Sequence, residues 1–132
     1  MTPSLDRRAL LRRAGAGLAG GWLTGLNAEA RAAAPRFLLE WGRRGKGEGE
    51  FDSPIDIAID PEDRIYVTDF KNLRVQPWDS QGRFLQSLGK GGSGPGDFHY
   101  PHGLAVDSRN HLYVVDAQNN RIQKFDLGQG AP

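Results

Sequence analysis

From residue 55 onward the apolar positions of the chain come in short bursts of period two. Ile55, Ile57 and Ile59 alternate with Asp56, Ala58 and Asp60, the pattern of a strand that buries one face. Similar bursts run over Arg64 to Asp69, Arg74 to Asp79 and Arg83 to Leu88. Pro61-Glu62-Asp63 separates the first from the second, and Ser80-Gln81-Gly82 the third from the fourth; both are turn-forming triplets. The spacing predicts four consecutive antiparallel strands joined by short turns. The 18 Gly and 8 Pro among 132 residues agree with an all-β chain of short elements.

The same pattern then returns. An offset of about 47 aligns Phe37 with Phe84 and continues without a gap to the C-terminus, with about 17 of 46 positions identical, far above chance. It pairs Gly42 with Gly89, Phe51 with Phe98, Pro54 with Pro101, Asp60 with Asp107, Asp69 with Asp116, Asn72 with Asn119 and Arg74 with Arg121. Four-stranded meanders repeating at a period in the forties predict β-propeller blades. Pro77 falls inside a third strand, where it removes a ladder donor and predicts a bulge. Trp78 stands where the second copy has Phe125.

Both copies share Gly-x-Gly-x-Phe-x-x-Pro (Gly47 to Pro54 and Gly94 to Pro101) and a strand ending in Asp60 or Asp107. Each continues with Ile65-Tyr66-Val67-x-Asp69 or Leu112-Tyr113-Val114-x-Asp116, and with Asn72-x-Arg74-Val75-Gln76 or Asn119-x-Arg121-Ile122-Gln123. This series resembles the NHL repeat, over about residues 37–83 and 84–129. The resemblance implies two four-stranded antiparallel NHL blades, an incomplete propeller, because such blades assemble in sixes.

The N-terminal segment is different in kind. Arg7-Arg8, one spacer, Leu10-Leu11 and Arg12 precede a Gly- and Ala-rich apolar stretch. At about 13 residues it is too short to span a bilayer. It resembles a twin-arginine export signal, with Asp6 where such signals carry Ser or Thr. Ala28-Glu29-Ala30, Ala30-Arg31-Ala32 and Ala32-Ala33-Ala34 all offer cleavage sites. Residues 1–34 are therefore expected to be an export signal and 35–132 a periplasmic or extracellular chain, not membrane-embedded after cleavage. From Pro35 onward about 12 basic residues face about 14 acidic ones, so no nucleic-acid partner is expected. The short run Arg43, Arg44, Lys46 is answered by Glu48 and Glu50. The absence of Cys excludes disulfides, thiolate metal sites and thiol nucleophiles.

Candidate chemistry is sparse. The glycine-rich stretches 42–50 and 89–96 are not phosphate loops, because Lys46 is followed by Gly47 rather than Ser or Thr and a strand follows instead of a helix. The loops Asp69 to Arg74 and Asp116 to Arg121 join an acid to a base across a turn, primarily a structural pairing. They also lie where propellers carry ligands, which makes Lys71, Asn72, Gln118 and Asn119 binding candidates. His99, Tyr100 and His102 form the one cluster with catalytic side chains. His102 opens the innermost strand of the second blade. That placement resembles peptidyl-amidoglycolate lyases, NHL-like propellers that hold zinc with histidines from several blades. The aligned residue is Ile55, so one chain supplies one such ligand where a catalytic zinc takes three. His111 falls at the opposite end of the blade.

The leading expectation is an exported scaffold that binds an unidentified ligand or protein. The alternative is a metal-dependent lyase or hydrolase with His102 as ligand to a divalent metal such as zinc. For assembly, Phe37 to Trp41 aligns with the outermost strand Phe84 to Leu88, while nothing after Asp126 supplies a fourth strand to the second blade. Two readings follow: a truncated longer propeller, or a cyclic homotrimer in which Phe37 to Trp41 completes the neighbour's second blade.

Overall fold

A computed structural model describes residues 34–128; the export-signal reading falls almost wholly on residues outside that range. The chain divides into two compact units, Met1–Leu38 and Leu39–Pro132. The described part of the first, residues 34–38, has no regular structure. All the strands among the described residues belong to the second.

There the first three bursts of each copy become strands within about a residue of the limits that the pattern predicts. β1 (Pro54–Ile59), β2 (Ile65–Asp69) and β3 (Arg74–Trp78) form one antiparallel sheet in the order β1-β2-β3. β4 (Pro101–Val106), β5 (His111–Asp116) and β6 (Arg121–Asp126) form another in the order β4-β5-β6, with a short 3-10 turn, Ala117–Asn119, before β6. Each sheet is a blade, and the registers match: Pro54 faces Asp69 as Pro101 faces Asp116, and Ile57 faces Val67 as Leu104 faces Val114.

The turn between the first two strands of each blade is organised by its aspartate. Asp60 Oδ1 accepts the Glu62 and Arg64 amides at 2.9 Å, and Oδ2 accepts Arg64 Nε at 2.6 Å and the Tyr66 hydroxyl at 3.2 Å. Burial first, and then the charge of Asp60, pushes the Tyr66 phenol up to about 12. Asp107 repeats the device with Arg109, His111 and Tyr113.

Three expectations need correction: the fourth strand, the bulge at Pro77 and the strand over Phe37 to Trp41. The fourth strand of the first blade is reduced to isolated bridges, Val75 with Leu88 and Trp78 with Phe84. Val75 and Leu88 exchange both backbone bonds, at 2.9 and 2.8 Å, and Leu85 N donates to Pro77 O at 3.0 Å. The odd residues of β3 thus turn their backbone groups outward, and the N–H missing at Pro77 is lost from the outer ladder. Pro77 keeps its place opposite Tyr66, so β3 does not bulge; the register shifts lie between Pro54 and Ile57 and between Pro101 and Leu104. The third correction concerns Phe37 to Trp41, which form no strand. Trp41 instead packs beside Trp78, 6.0 Å between ring centroids, against the face of Gly82. Trp78 also meets Phe51 at 5.6 Å and Phe84 at 5.7 Å, and its buried indole Nε1 has no acceptor.

The two blades pack face to face. Tyr66 and Val75 of the first meet Phe98, Leu112 and Val114 of the second, with Leu88 and Leu104 packed at the margin. Gly89 has φ of +84°, and a Cβ there would lie 2.3 Å from the Phe98 ring and 2.9 Å from Gly96 O. Glycine is required on both counts. Polar ties accompany the apolar ones: Asp56 Oδ2 accepts Leu104 N at 2.8 Å, and the Thr68 hydroxyl donates to His102 O at 2.9 Å.

Candidate functional site

Asp69 and Asp116 end β2 and β5 fully buried. A buried carboxylate is tolerated only when its oxygens are satisfied, and here donors converge from several segments. Asp69 Oδ1 accepts the Asp52 amide at 2.8 Å, while Oδ2 accepts Asn72 Nδ2 at 3.0 Å, Arg74 Nε at 2.7 Å and Gln76 Nε2 at 3.1 Å. Asp116 repeats this with the His99 amide at 2.8 Å, Asn119 Nδ2 at 2.9 Å, Arg121 Nε at 2.9 Å and Gln123 Nε2 at 3.1 Å. The donors also reach back to the preceding loop: Arg121 Nη2 donates to Gly94 O at 2.7 Å, and Gln123 Nε2 to Asp97 O at 2.6 Å.

Burial alone would raise the Asp116 carboxyl. The His99 amide and the Asn119, Arg121 and Gln123 side chains outweigh it and hold the group below the ordinary aspartate range. Asn72 and Asn119 are therefore committed to the fold: Asn72 bonds Asp69 and Gly45 O, and Asn119 bonds Asp116 and Gly92 O. Gln76 and Gln123, the last letters of the Asn-x-Arg-x-Gln motif, carry a role in these networks that the spacing did not assign.

The aromatic residues at the same end of the blades are less committed. Tyr100 holds a left-handed backbone, φ 56°, and its ring stacks on Phe70 at 4.8 Å and on His99 at 4.8 Å. His102 meets the Phe70 ring edge-on at 6.2 Å. His99 and His102 are exposed, and Gln118 is exposed beside them, its amide bonded to His99 O at 3.0 Å. The structure so unites His99, Tyr100, His102 and Gln118 in one rim and adds Phe70, which the sequence pattern did not single out. The signal was an aromatic beside Lys71 in the first loop, where the second has Ala117.

Lys71 lies elsewhere, in a cleft of about 570 Å³ over Phe51, with Arg43, Arg44, Asp52 and Ser53. His111 pairs with Asp107 at 3.1 Å, at the β5 end remote from the rim. Among the described residues no three His, Asp or Glu side chains are grouped to hold a metal ion. His102 has an aromatic neighbour rather than a second ligand. The described residues of one chain thus do not supply the three protein ligands that a catalytic zinc takes.

Three known proteins share parts of this chain. Fifty residues, 38% of the chain, are 40% identical to Protein lin-41 of Caenorhabditis elegans, of which they span 4%. An auxiliary nutrient binding protein from Bacteroides thetaiotaomicron overlays 58% of the chain with a TM-score of 0.47 at 22% identity; the chain covers 23% of it. The PQQ-bound aldose sugar dehydrogenase from Streptomyces coelicolor overlays 62% with a TM-score of 0.43 at 24% identity, and 27% of it is covered. The chain thus spans well under two thirds of each of these proteins. A family model described as a 6-bladed beta-propeller matches residues 62–131, more than half of the chain and five of its six described strands, β2 to β6. The chain belongs to that family, DUF5128, and its two sheets are propeller blades.

Proposed function

We propose that this chain is part of an exported binding propeller built of NHL blades, and that its ligand or protein partner docks at the rim formed by Phe70, His99, Tyr100 and His102. The observation that carries the reading is the stack of Phe70, Tyr100 and His99 with His102 edge-on. The Asp116, Asn119, Arg121 and Gln123 side chains around it are spent on internal hydrogen bonds, whereas these rings and imidazoles reach the surface. Aromatic faces beside imidazole donors suit a partner with a flat, partly apolar surface and polar edges.

The reading is tested by screening the purified protein for binding to a panel of oligosaccharides and peptides, then repeating the positives with Tyr100→Ala and Phe70→Ala. A stacked pair contributes about 0.5–1.5 kcal/mol, so each variant is expected to weaken binding roughly two- to twelvefold. Binding indifferent to both would sink the rim assignment. Export is tested separately by mass spectrometry of the secreted and periplasmic fractions, with a chain starting after Ala30, Ala32 or Ala34 expected. Intact residues 1–34 on cytoplasmic protein alone would end that part of the reading.

A further inference from the structure

The rim over the seam between the two blades is built from residues that the repeat itself does not call for. Phe70 comes from the first blade and His99, Tyr100 and His102 from the second, yet their repeat equivalents are Ala117, Asp52, Ser53 and Ile55, none of them aromatic. The rings therefore converge on this one seam from both sides. The backbone at Tyr100 has φ of 56°, matched by 58° at Ser53, so the turn asks for a left-handed angle in both blades. Serine meets that demand in the first blade, whereas a bulky aromatic residue is an outlier in this conformation. The tyrosine ring thus sits at a strained position that the turn does not need it for, as side chains held for binding do.

The polar groups of the rim are divided by type. Its backbone is spent within the fold: the His99 amide donates to Asp116 Oδ1 at 2.8 Å, His99 O accepts the Gln118 amide at 3.0 Å, and His102 O accepts the Thr68 hydroxyl at 2.9 Å. The side chains of His99, His102 and Gln118 are exposed, and each carries a hydrogen-bond donor. The carboxylates at this end are withdrawn. Asp69 and Asp116 are buried under their own donors. Asp56 Oδ1 accepts Ile57 N and Oδ2 accepts Leu104 N, both at 2.8 Å. Asp97 lies against the preceding glycine loop, where a Cβ at Gly92 would be 2.7 Å from its Oδ2. At the position of His99 the first blade carries an acid, Asp52, so the seam has an imidazole where the repeat offers a carboxylate.

Taking the rim as the binding site, we infer that its ligand carries a carboxylate on a ring with an apolar face, as an aromatic acid or an acidic sugar does; this choice of ligand class rests on that placement of the site. The ligand ring lies against the stack of Phe70, Tyr100 and His99, and its carboxylate accepts from the imidazoles and the Gln118 amide. A cationic ligand would meet exposed donors here, and each carboxylate named above is already engaged within the fold. All of these groups belong to the two described blades and sit at the loop end of their seam, not on the open blade faces.

The test titrates the isotopically labelled full chain with benzoate and glucuronate, each beside its neutral counterpart, benzamide or glucose, and follows side-chain signals by nuclear magnetic resonance. At least one acid is expected to shift the ring signals of Phe70 and Tyr100 together with the imidazole signals of His99 and His102, and to bind more tightly than its neutral counterpart. Which acid does so separates an aromatic source from a sugar source. His99→Ala and His102→Ala are each expected to weaken that acid about two- to twelvefold, the net worth of one hydrogen bond. Both variants keep the backbone groups that Asp116 and Thr68 use, so the fold is retained. A neutral counterpart that binds the same rings as tightly as its acid would overturn the carboxylate while leaving the rim as the site. An acid whose affinity is indifferent to both histidine variants, or whose shifts centre on Arg44 and Lys71 in the cleft over Phe51, would overturn the inference by placing it on other groups. Saturation by neither acid would overturn the ligand class, and the rim itself would then stand or fall by the oligosaccharide and peptide screen.

Discussion

Phe98→Ala is expected to lower stability by about 3–5 kcal/mol, the range for truncating a buried aromatic. Phe98 is fully buried, and its ring meets Phe125 at 5.8 Å and leaves no space for a Cβ at Gly89. Little around it can collapse into the vacated volume, because its contacts come from strands of both blades. Small domains have about 5–15 kcal/mol in total, so the variant should be close to unfolding at room temperature. Gly89→Ala should approach the same loss from the other side of the contact, by pressing a methyl into the ring at a backbone angle that alanine resists. Urea titration reads both as a fall in midpoint with an unchanged slope. A loss below about 1 kcal/mol for Phe98→Ala would mean that the interblade core is not packed around this ring.

Asp116→Ala is expected to be nearly as damaging, at about 2–3 kcal/mol. It leaves the His99 amide and the Asn119, Gln123 and Arg121 side chains without their common acceptor. Arg121 retains some access to water, 30% of its side chain, which moderates the cost relative to a fully enclosed pair. The same carboxylate makes stability depend on pH. Its folded form titrates below the ordinary aspartate value, so the stabilisation is present above the unfolded value near 4 and is lost as pH falls through the folded one. The Asp107 carboxyl acts in the same direction: burial opposes its ionisation, but the His111 amide and ring, Tyr113 and Arg109 prevail. The urea midpoint should be flat near neutrality and decline below about pH 4, with a shallower decline in Asp116→Ala. Equal acid sensitivity in the two proteins would remove Asp116 from the account.

Much of the fold was legible because strand alternation and blade repetition are both one-dimensional signals. The Ile55 to Asp60 pattern and the 47-residue offset were enough to place all six strands. Which of two apolar faces becomes covered was not legible. Ile57 and Leu104 have the same chemistry at the same repeat position, and only the presence of a neighbouring blade makes one exposed and the other packed. The outer strand failed for a different reason: the proline at 77 was visible, but whether its missing N–H faced β2 or the outer edge depends on the register. At the rim, His99, Tyr100 and His102 could be found as a local cluster. Phe70 lies 30 residues before Tyr100 and joins it only because the first loop folds over the next blade. Asn72 and Asn119 looked available for binding because spacing shows a polar side chain without showing the buried carboxylate that occupies it.

The packing of one blade on the next is read most directly by proton nuclear Overhauser spectroscopy of the purified protein. Cross-peaks are expected from the Leu73 methyl protons to the Gly91 α protons and between the ring protons of Phe70 and Tyr100, which stack at 4.8 Å. Contacts within one sheet, such as those between the facing residues Val67 and Gln76, provide the internal reference. Finding the within-sheet peaks together with both interblade sets is the expected result. Finding the within-sheet peaks alone would mean that the blades form but do not pack as propeller neighbours, which contradicts the account at its centre.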